Sequence, residues 1–359
     1  MEVNQSHELF LIFLKTQINR NININEEDLL NDFSNKHELN IFRESNRIIF
    51  KNIYLLEYLR KFIEDPHVSE IILHDHQNLQ IENKGRLINR EISEVSESIY
   101  LLSLETFALK NKVIWNFSNP FASFYSKIRS FSFRASLIHE SCSPTKKSKF
   151  FLRRIKDSPF SLHEFGICKE EEEELTKLVL MKKNILLAGS AGSGKSSLLA
   201  TLLQIIPESE HVIILEDTHE IIPLRKNFTH FLGNELLQNK SLKEYCAYSM
   251  RLRPDRITLG EIRSSEIIPF VLAMNTGHRG MISTIHADSG VDAIYRMALL
   301  FLIHGNNQAF SYEMAIKLMS KNIDIVVFLK DKKIKEIIKI IGTDRGVVNY
   351  DYIFKNNLS

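Results

Sequence analysis

Apolar residues in the first half of the chain follow two kinds of spacing. They recur at helical intervals in Tyr54–Glu64 and in residues 93–112, and they alternate as in β-strands over residues 124–155. Two short strand-like runs, Val68–Leu73 and Leu79–Glu82, lie on either side of a polar turn. This mixture predicts a small α+β domain.

The pattern changes after about residue 166, where helical segments alternate with short, almost wholly apolar runs. The apolar runs are Ile185–Leu187, Val212–Leu215, Ile257–Leu259, Met281–Ile285 and Ile323–Leu329. Alternating helices and buried strands are typical of a mostly parallel sheet with helices on both faces. The last run and Ile334–Ile341 flank Asp331–Lys333, which predicts a hairpin at the sheet edge.

We therefore predict an α/β protein with a smaller α+β domain before a larger doubly covered sheet. The predicted segments are a helical extension over 1–45, an α+β domain over 46–155, a linker over 156–166 and an α/β domain over 167–359.

Composition narrows the classes of protein but does not choose a function. The 359 residues contain 44% hydrophobic and 25% charged residues, which excludes wholesale disorder. A net charge of +2 gives no strong attraction to nucleic acid. The 3 cysteines are scattered, so they form neither a disulfide framework nor a four-cysteine zinc site. No apolar run reaches the ~18 residues that a membrane span needs. We expect a cytoplasmic protein.

A glycine-rich segment follows the first apolar run of the second half and precedes a predicted helix. Its residues are Gly189, Ser190, Ala191, Gly192, Ser193, Gly194, Lys195 and Ser196. This spacing predicts a phosphate-binding loop, in which backbone amides surround the phosphates, Lys195 reaches the β- and γ-phosphates and Ser196 ligates Mg²⁺. Ser197 belongs to the same first helical turn. The sequence lacks the N-K-x-D motif of GTPases, which favours ATP.

Carboxylates follow two of the apolar runs, at the edge where a parallel sheet presents its ligands. Glu216-Asp217 and Glu220 follow the second run, and Glu261 follows the third. We predict that Glu261 polarises water because Gly260 permits a close backbone approach, and that Glu216 holds Mg²⁺ through water. Any one of them could instead be an exposed loop carboxylate.

Histidines and arginines surround these positions, and each has a structural alternative. His278 and His286 flank the run Met281–Ile285, where they could contact a terminal phosphate or simply complete the core. The clustered arginines are Arg251, Arg253, Arg256 and Arg263. They could compensate phosphate charge, or pair with Asp255 and Glu261.

Four segments in this order resemble the ATPases of type II and type IV secretion systems, above all those of tight-adherence pilus assembly and of conjugation. The segments are the Walker A loop Gly189–Ser196, the Asp box in Ile214–Glu220, the atypical Walker B in Met250–Arg263 and the His box in Met274–Ala287. Asp65–Ile71 is similar to the start of the family's N-terminal domain.

The resemblance implies a RecA-like P-loop NTPase domain and a homo-hexamer that hydrolyses ATP with Mg²⁺. Lys195 and Glu261 would be catalytic, with Glu216 as the Asp-box acid and His286 as the His-box histidine. Arg134 and Arg153 take the positions of the N-terminal-domain arginines that reach the phosphates, although the surrounding segment 122–134 departs from the family pattern.

The same resemblance implies a motor for pilus assembly or protein secretion, peripherally bound at the inner membrane to platform proteins. Two alternatives stay open. One is a nucleotide-gated assembly module with little turnover, and the other is a conjugation-type ATPase for DNA or effector transfer. Direct nucleic-acid binding is not expected, because the charge is balanced.

Overall fold

The computed structural model describes residues 3–37, 42–92, 95–155, 159–221, 225–233, 240–305 and 310–356. The chain forms two compact units, residues 1–155 and 156–359. Among the described residues, no helix combines the length and the apolar character required to cross a membrane.

The first unit combines helices with an antiparallel sheet. Its helices are α1 Val3–Arg20, α2 Glu26–His37, α3 Arg43–Leu55, α4 Arg60–Ile63 and α5 Glu97–Lys110. Its strands are β1 Val68–Leu73, β2 Leu79–Asn83, β3 Arg86–Arg90, β4 Phe121–Ile128, β5 Phe131–Ile138 and β6 Lys149–Ile155. The strand order is β3-β2-β1-β6-β5-β4, with antiparallel neighbours throughout the described sheet.

The single helix predicted over Tyr54–Glu64 is wrong, because the chain turns at Leu56. That residue has a left-handed backbone with φ of 53° and its amide donates to the Lys51 carbonyl, which ends α3. A 3₁₀ turn, Glu57–Leu59, and the short α4 follow. Leu56 and Leu59 are both buried in the unit, so core packing outweighs the local helical spacing.

Helix α5 packs between two apolar clusters of the first unit. Leu104 on one side joins Leu152 and the rest of the sheet. Leu102 on the other side joins Phe10 of α1 and Phe50 of α3. The helices in the segment predicted as an extension therefore share a core with the α+β part, because their apolar faces are covered by α3 and α5.

The second unit contains a larger sheet with helices on both faces. Its strands are β7 Ile185–Gly189, β8 Val212–Glu216, β9 Phe228–Leu232, β10 Arg256–Ile262, β11 Ile282–Ile285, β12 Ile325–Lys330, β13 Lys333–Asp344 and β14 Val347–Lys355. Its helices are α6 Lys169–Leu180, α7 Lys195–Ile205, α8 Leu242–Ser249, α9 Ile267–Asn275, α10 Gly290–Gly305 and α11 Tyr312–Asn322.

The strand order is β14-β13-β12-β7-β11-β10-β8-β9. Neighbours from β12 to β9 are parallel, whereas β13 and β14 are antiparallel. The predicted hairpin is present: Asp331 and Lys332 turn between β12 and β13 with φ of 54° and 60°. Strand β14 was not predicted.

Alternate residues of the central strands enter different cores. Leu186 lies in a cluster with α9 and α10, and Leu187 lies in a cluster with α6 and α7. Leu162 and Phe165, within the segment predicted as a linker, are buried in the latter cluster. That part of the predicted linker is thus packed into the second unit, whereas its residues 156–158 lie outside the described residues.

Candidate functional site

The glycine-rich loop joins the end of β7 to the start of α7 by a backbone path that side chains would obstruct. A Cβ on Gly189 would lie 2.5 Å from Ser193 Oγ. Gly194 precedes α7 with φ of 98°, in the left-handed region that favours glycine. The first-turn amides of a helix have no partners within it, so α7 presents an anion-binding end at Lys195, Ser196 and Ser197.

Lys195 is folded back onto this loop. Its Nζ donates to the carbonyl oxygens of Gly189 and Ser190, each at 2.8 Å. The residue is only 6% exposed. Burial lowers the pKa of Lys195, although the negative charges of Glu261 and Glu220 counteract it. The loop thus holds a buried amine against its own carbonyl groups.

Glu261 lies in a β-bulge of β10, and its carboxylate contacts His286 and Arg263. Along β10 the pairing passes from Leu259 with Ser283 to Ile262 with Ile285, so Gly260 and Glu261 oppose one residue of β11. A Cβ on Gly260 would lie 3.2 Å from Glu216 Cγ. Glycine at position 260 is therefore explained differently from the prediction: the absence of a side chain leaves room for the neighbouring strand β8.

His286 lies between Lys195 and Glu261. Its Nδ1 is 3.4 Å from Lys195 Nζ, and its Nε2 is 2.9 Å from Glu261 Oε1. Burial, followed by the nearby Lys195 charge, lowers the pKa of His286 despite the opposing charge of Glu261. The contact with Lys195 has hydrogen-bond geometry, whereas Glu261 Oε1 has no hydrogen-bond partner among the described residues, so His286 Nε2 approaches it closely without forming a hydrogen bond.

Arg263 holds the other oxygen of Glu261. Its Nη2 donates to Glu261 Oε2 at 2.6 Å, and its Nη1 donates to Asp217 Oδ2 at 2.6 Å. The bond to Glu261 raises the pKa of Arg263. Arg263 therefore connects the carboxylates that follow β8 with the carboxylate on β10.

The other arginines and histidine considered from sequence have different surroundings. Arg256 is fully buried, pairs with Glu210 and donates to the Val179 carbonyl, so it is a structural residue of the sheet. Arg251 and Arg253 are exposed. His278 lies 3.2 Å from the Ala273 carbonyl.

The carboxylate of Glu216 is buried at the end of β8. Its Oε1 accepts from the amides of Glu220 and Ile221, each at 3.0 Å, and Oε2 faces His219 and His230. Burial alone would raise the pKa of Glu216, but the two histidines and the Glu220 amide lower it overall. Among the described residues no contact joins Glu216 to Lys195 or Ser196. The predicted role of Glu216 in holding Mg²⁺ through water stays a prediction.

Arg134 and Arg153 lie opposite each other on β5 and β6 of the first unit. Arg153 Nε is 3.0 Å from Glu70 Oε1, and Arg134 Nε lies 3.4 Å from Ser123 Oγ. They share one face of the antiparallel sheet, because directly paired residues project to the same side. Their contact with phosphate stays a prediction.

Comparison with known proteins identifies a family. The model of a family described as "Type II/IV secretion system protein" matches residues 127–327, which is more than half of the chain. The VirB11 type IV secretion protein of Bartonella quintana is 36% identical over 129 residues, covering 35% of this chain and 36% of that protein. PtlH of Bordetella pertussis is 35% identical over 153 residues, covering 41% and 45% respectively. The matched region thus spans less than half of either relative.

Solved structures show the same fold at low sequence identity. The pilus retraction motor PilT, solved with bound ADP, has a TM-score of 0.58 and 20% identity, covering 85% of this chain and 84% of that one. The DotB ATPase of Legionella pneumophila has a TM-score of 0.56 and 17% identity, covering 85% and 80%. The α/β architecture described above is therefore shared with these proteins.

Proposed function

The chain belongs to the family of type II/IV secretion system proteins, and from that premise we propose that it is a Mg²⁺-dependent ATPase that drives secretion or pilus assembly. The observation that carries the proposal is the line from Lys195 through His286 to Glu261. It joins the lysine of a phosphate-binding loop to a strand-end carboxylate. A cation for phosphate and a carboxylate for water are the groups that phosphoryl transfer to water requires.

We assign nucleotide binding to Gly189–Ser196, as the P-loop of a RecA-like domain, together with Ser197. The fit of a polyphosphate is supported by Ser193 Oγ, which is buried and has no hydrogen-bond partner among the described residues. Lys195 would exchange its two loop carbonyl groups for phosphate oxygens. Ser196 would hold Mg²⁺, which stabilises developing phosphate charge when bound.

Glu261 is assigned to the attacking water. Arg263 donates to one carboxylate oxygen and His286 Nε2 lies 2.9 Å from the other, so that the carboxylate would keep one orientation. His286 also contacts Lys195, and a phosphate that draws Lys195 away would change both contacts. We assign to His286 the coupling of phosphate occupancy to Glu261.

Assembly and location are proposed from the family. The protein would act as a homo-hexamer at the inner membrane, together with platform proteins of a pilus or secretion system. Arg134 and Arg153 would complete the nucleotide site. The relatives named above are type IV secretion proteins, and PilT is a pilus motor, so both kinds of machine remain within the proposal. Direct nucleic-acid binding is not part of it, since the net charge is only +2.

The test compares two loss variants of the full chain with a surface control. Lys195→Ala should weaken ATP binding and abolish turnover. Glu261→Gln should keep ATP binding while turnover falls by about 10²-fold or more. Lys177→Ala serves as control, because that side chain is 66% exposed. Parental turnover in either loss variant contradicts the proposal.

A nucleotide-gated module with little turnover is the second candidate. It is favoured by the two contacts that engage Glu261, to Arg263 and His286. Phosphate release measured over many turnovers, with and without lipid vesicles, separates the candidates. Sustained release supports the motor, and release of less than one phosphate per chain supports the module.

A further inference from the structure

A cluster of one glutamate and two histidines lies at the end of β8, beside the site described above. Glu216, His219 and His230 each offer one potential ligand atom, and these atoms lie within 4.8 Å of one another. Glu216 ends β8, His219 follows it, and His230 lies on the adjacent strand β9. The three residues of the cluster therefore come from β8, from the segment that follows it and from β9.

The distances in the cluster suit a shared ion better than direct hydrogen bonds. Glu216 Oε2 lies 3.4 Å from His219 Nδ1 and 3.6 Å from His230 Nδ1. A strong N–H···O bond is shorter, at about 2.7–3.2 Å. Metal–ligand bonds of about 2.0–2.1 Å at tetrahedral angles place two ligand atoms about 3.3–3.4 Å apart. The two distances from Glu216 Oε2 are close to the latter value, and the one to His219 is also that of a long hydrogen bond.

His230 supplies an independent indication. Its side chain is 13% exposed, and neither ring nitrogen has a hydrogen-bond partner among the described residues. An imidazole shielded from solvent and without a partner loses the hydrogen bonds that it makes in water. A bound cation would give Nδ1 a partner.

The carboxylate is oriented as a metal ligand would be. The amides of Glu220 and Ile221 hold Glu216 Oε1, which leaves Oε2 directed at the two histidines. Second-shell hydrogen bonds of this kind fix the orientation of ligating carboxylates. The donor set, two imidazoles and one carboxylate, suits transition metals, whereas Mg²⁺ prefers oxygen ligands.

We propose that Glu216, His219 and His230 form a binding site for a divalent transition-metal ion of the Zn²⁺ class, separate from the Mg²⁺ that accompanies ATP. Three protein ligands leave the fourth tetrahedral position to water. The ion ties the end of β8 and the following loop to β9. Because Asp217 lies in that loop and pairs with Arg263, the ion steadies the partner of Glu261 as well.

The test uses the full chain, treated with a chelator and kept free of nucleotide. Co²⁺ titration, followed by visible absorption, should show one equivalent bound in tetrahedral coordination, and Zn²⁺ should displace it. His219→Ala and His230→Ala should each weaken Co²⁺ binding at least about tenfold. The matched control is His211→Ala, whose Nε2 lies 2.9 Å from Thr229 Oγ1 on the neighbouring strand.

Three results overturn the site: wild-type protein that binds Co²⁺ no more tightly than the two histidine variants, equal loss in His211→Ala, or displacement of Co²⁺ by millimolar Mg²⁺. If the histidine variants do not fold, the wild type still decides, since Zn²⁺ must raise its melting temperature. Lys195→Ala should bind Co²⁺ like the wild type. Co²⁺ binding and ATP turnover are therefore measured separately, and a negative result for one proposal does not decide the other.

Discussion

Arg263 and Glu261 form an ion pair that sets the direction of the strand-end carboxylate. Arg263 Nη2 and Glu261 Oε2 are 2.6 Å apart, and Glu261 is only 16% exposed. The carboxylate is connected through His286 to Lys195 of the glycine-rich loop, so in the proposed ATPase its orientation matters for the water it holds.

We expect Arg263→Ala to lower ATP turnover by about 10- to 100-fold with a smaller change in KM, because an unanchored Glu261 no longer keeps one geometry. The turnover of Arg263→Lys should lie between those of the wild type and Arg263→Ala, because an ammonium cannot hold Glu261 and Asp217 in the same forked arrangement. Steady-state kinetics on both variants measure this. Arg251→Ala, at an exposed arginine, is the control. Equal or faster turnover in Arg263→Ala would contradict the assignment.

The lowered pKa of His286 predicts a particular acid limb in the pH–rate profile. An ordinary histidine titrates near about 6.5, and burial together with Lys195 lowers the pKa of His286 below this. Turnover should be level at neutral pH and fall with a midpoint below about 6.5, because protonation adds a positive charge beside Lys195. Stability changes in the same direction: the unfolded chain takes up the proton first, so stability is lost as pH falls through the unfolded pKa.

Profiles of wild type and His286→Gln at constant ionic strength measure this effect. The variant should lack that limb while keeping any titration that belongs to other groups. A midpoint above about 6.5 in the wild type would show that Glu261, rather than burial, dominates the environment of His286.

Two glycines with the same backbone sign make a matched pair for stability. Gly280 has φ of +69°, and a Cβ there would lie 2.8 Å from Nη1 of the buried Arg256. Gly277 has φ of +101°, with nothing within 4 Å of the added Cβ. We expect Gly277→Ala to cost about 1–2 kcal/mol through backbone strain alone. Gly280→Ala should cost about 1–3 kcal/mol more, because it also displaces Arg256.

Thermal unfolding of the two glycine variants, recorded under the same conditions, compares these costs. Equal melting temperatures would show that Arg256 moves aside without loss of its bond to Glu210.

The cysteines should react in three distinguishable ways. Cys142 and Cys168 are exposed, whereas Cys246 is buried. Burial raises the pKa of Cys246 to about 12, and the Glu170 carboxylate raises that of Cys168. We expect two equivalents of a thiol reagent to react with native protein, Cys168 more slowly than Cys142, and the third only in denaturant. Mass spectrometry of Cys142→Ser and Cys168→Ser assigns each phase. Rapid native labelling of Cys246 would contradict its burial.

The sequence predicted the parts of the fold in which local pattern and burial agree. The strand before the loop was expected over Ile185–Leu187 and is observed over Ile185–Gly189. The hairpin after Ile323 was found because two apolar runs flank a polar turn. Strand β14 was missed although Val348, Tyr350 and Tyr352 alternate with Asn349 and Asp351. Of these residues only Val348 is buried, because the strand lies at the edge of the sheet. The left-handed turn at Leu56 was missed because tertiary packing, rather than spacing, imposes it.

At the site, the glycine-rich motif predicted Lys195, the position after an apolar run predicted Glu261, and the family resemblance pointed to His286. The structure brings these three side chains together. It could not predict the direction of Glu216, which depends on amides four and five residues later along the chain and on His230 of the next strand. No sequence motif includes His230. It lies near Glu216 because it pairs with Ile214 in the parallel register of β8 and β9. The pattern along the sequence does not specify which strands pair or in what register, so it could not predict this contact.

Helix α5 lies between the two apolar clusters of the first unit and packs against both. Leu104 faces the cluster behind the strands that carry Arg134 and Arg153, and Leu102 faces the cluster formed by α1, α2 and α3. A pull or a push on the three leading helices must therefore act on α5, and a displaced α5 must disturb the packing behind those strands. We expect a mechanical load received at the start of the chain to reach the two arginine-bearing strands through α5.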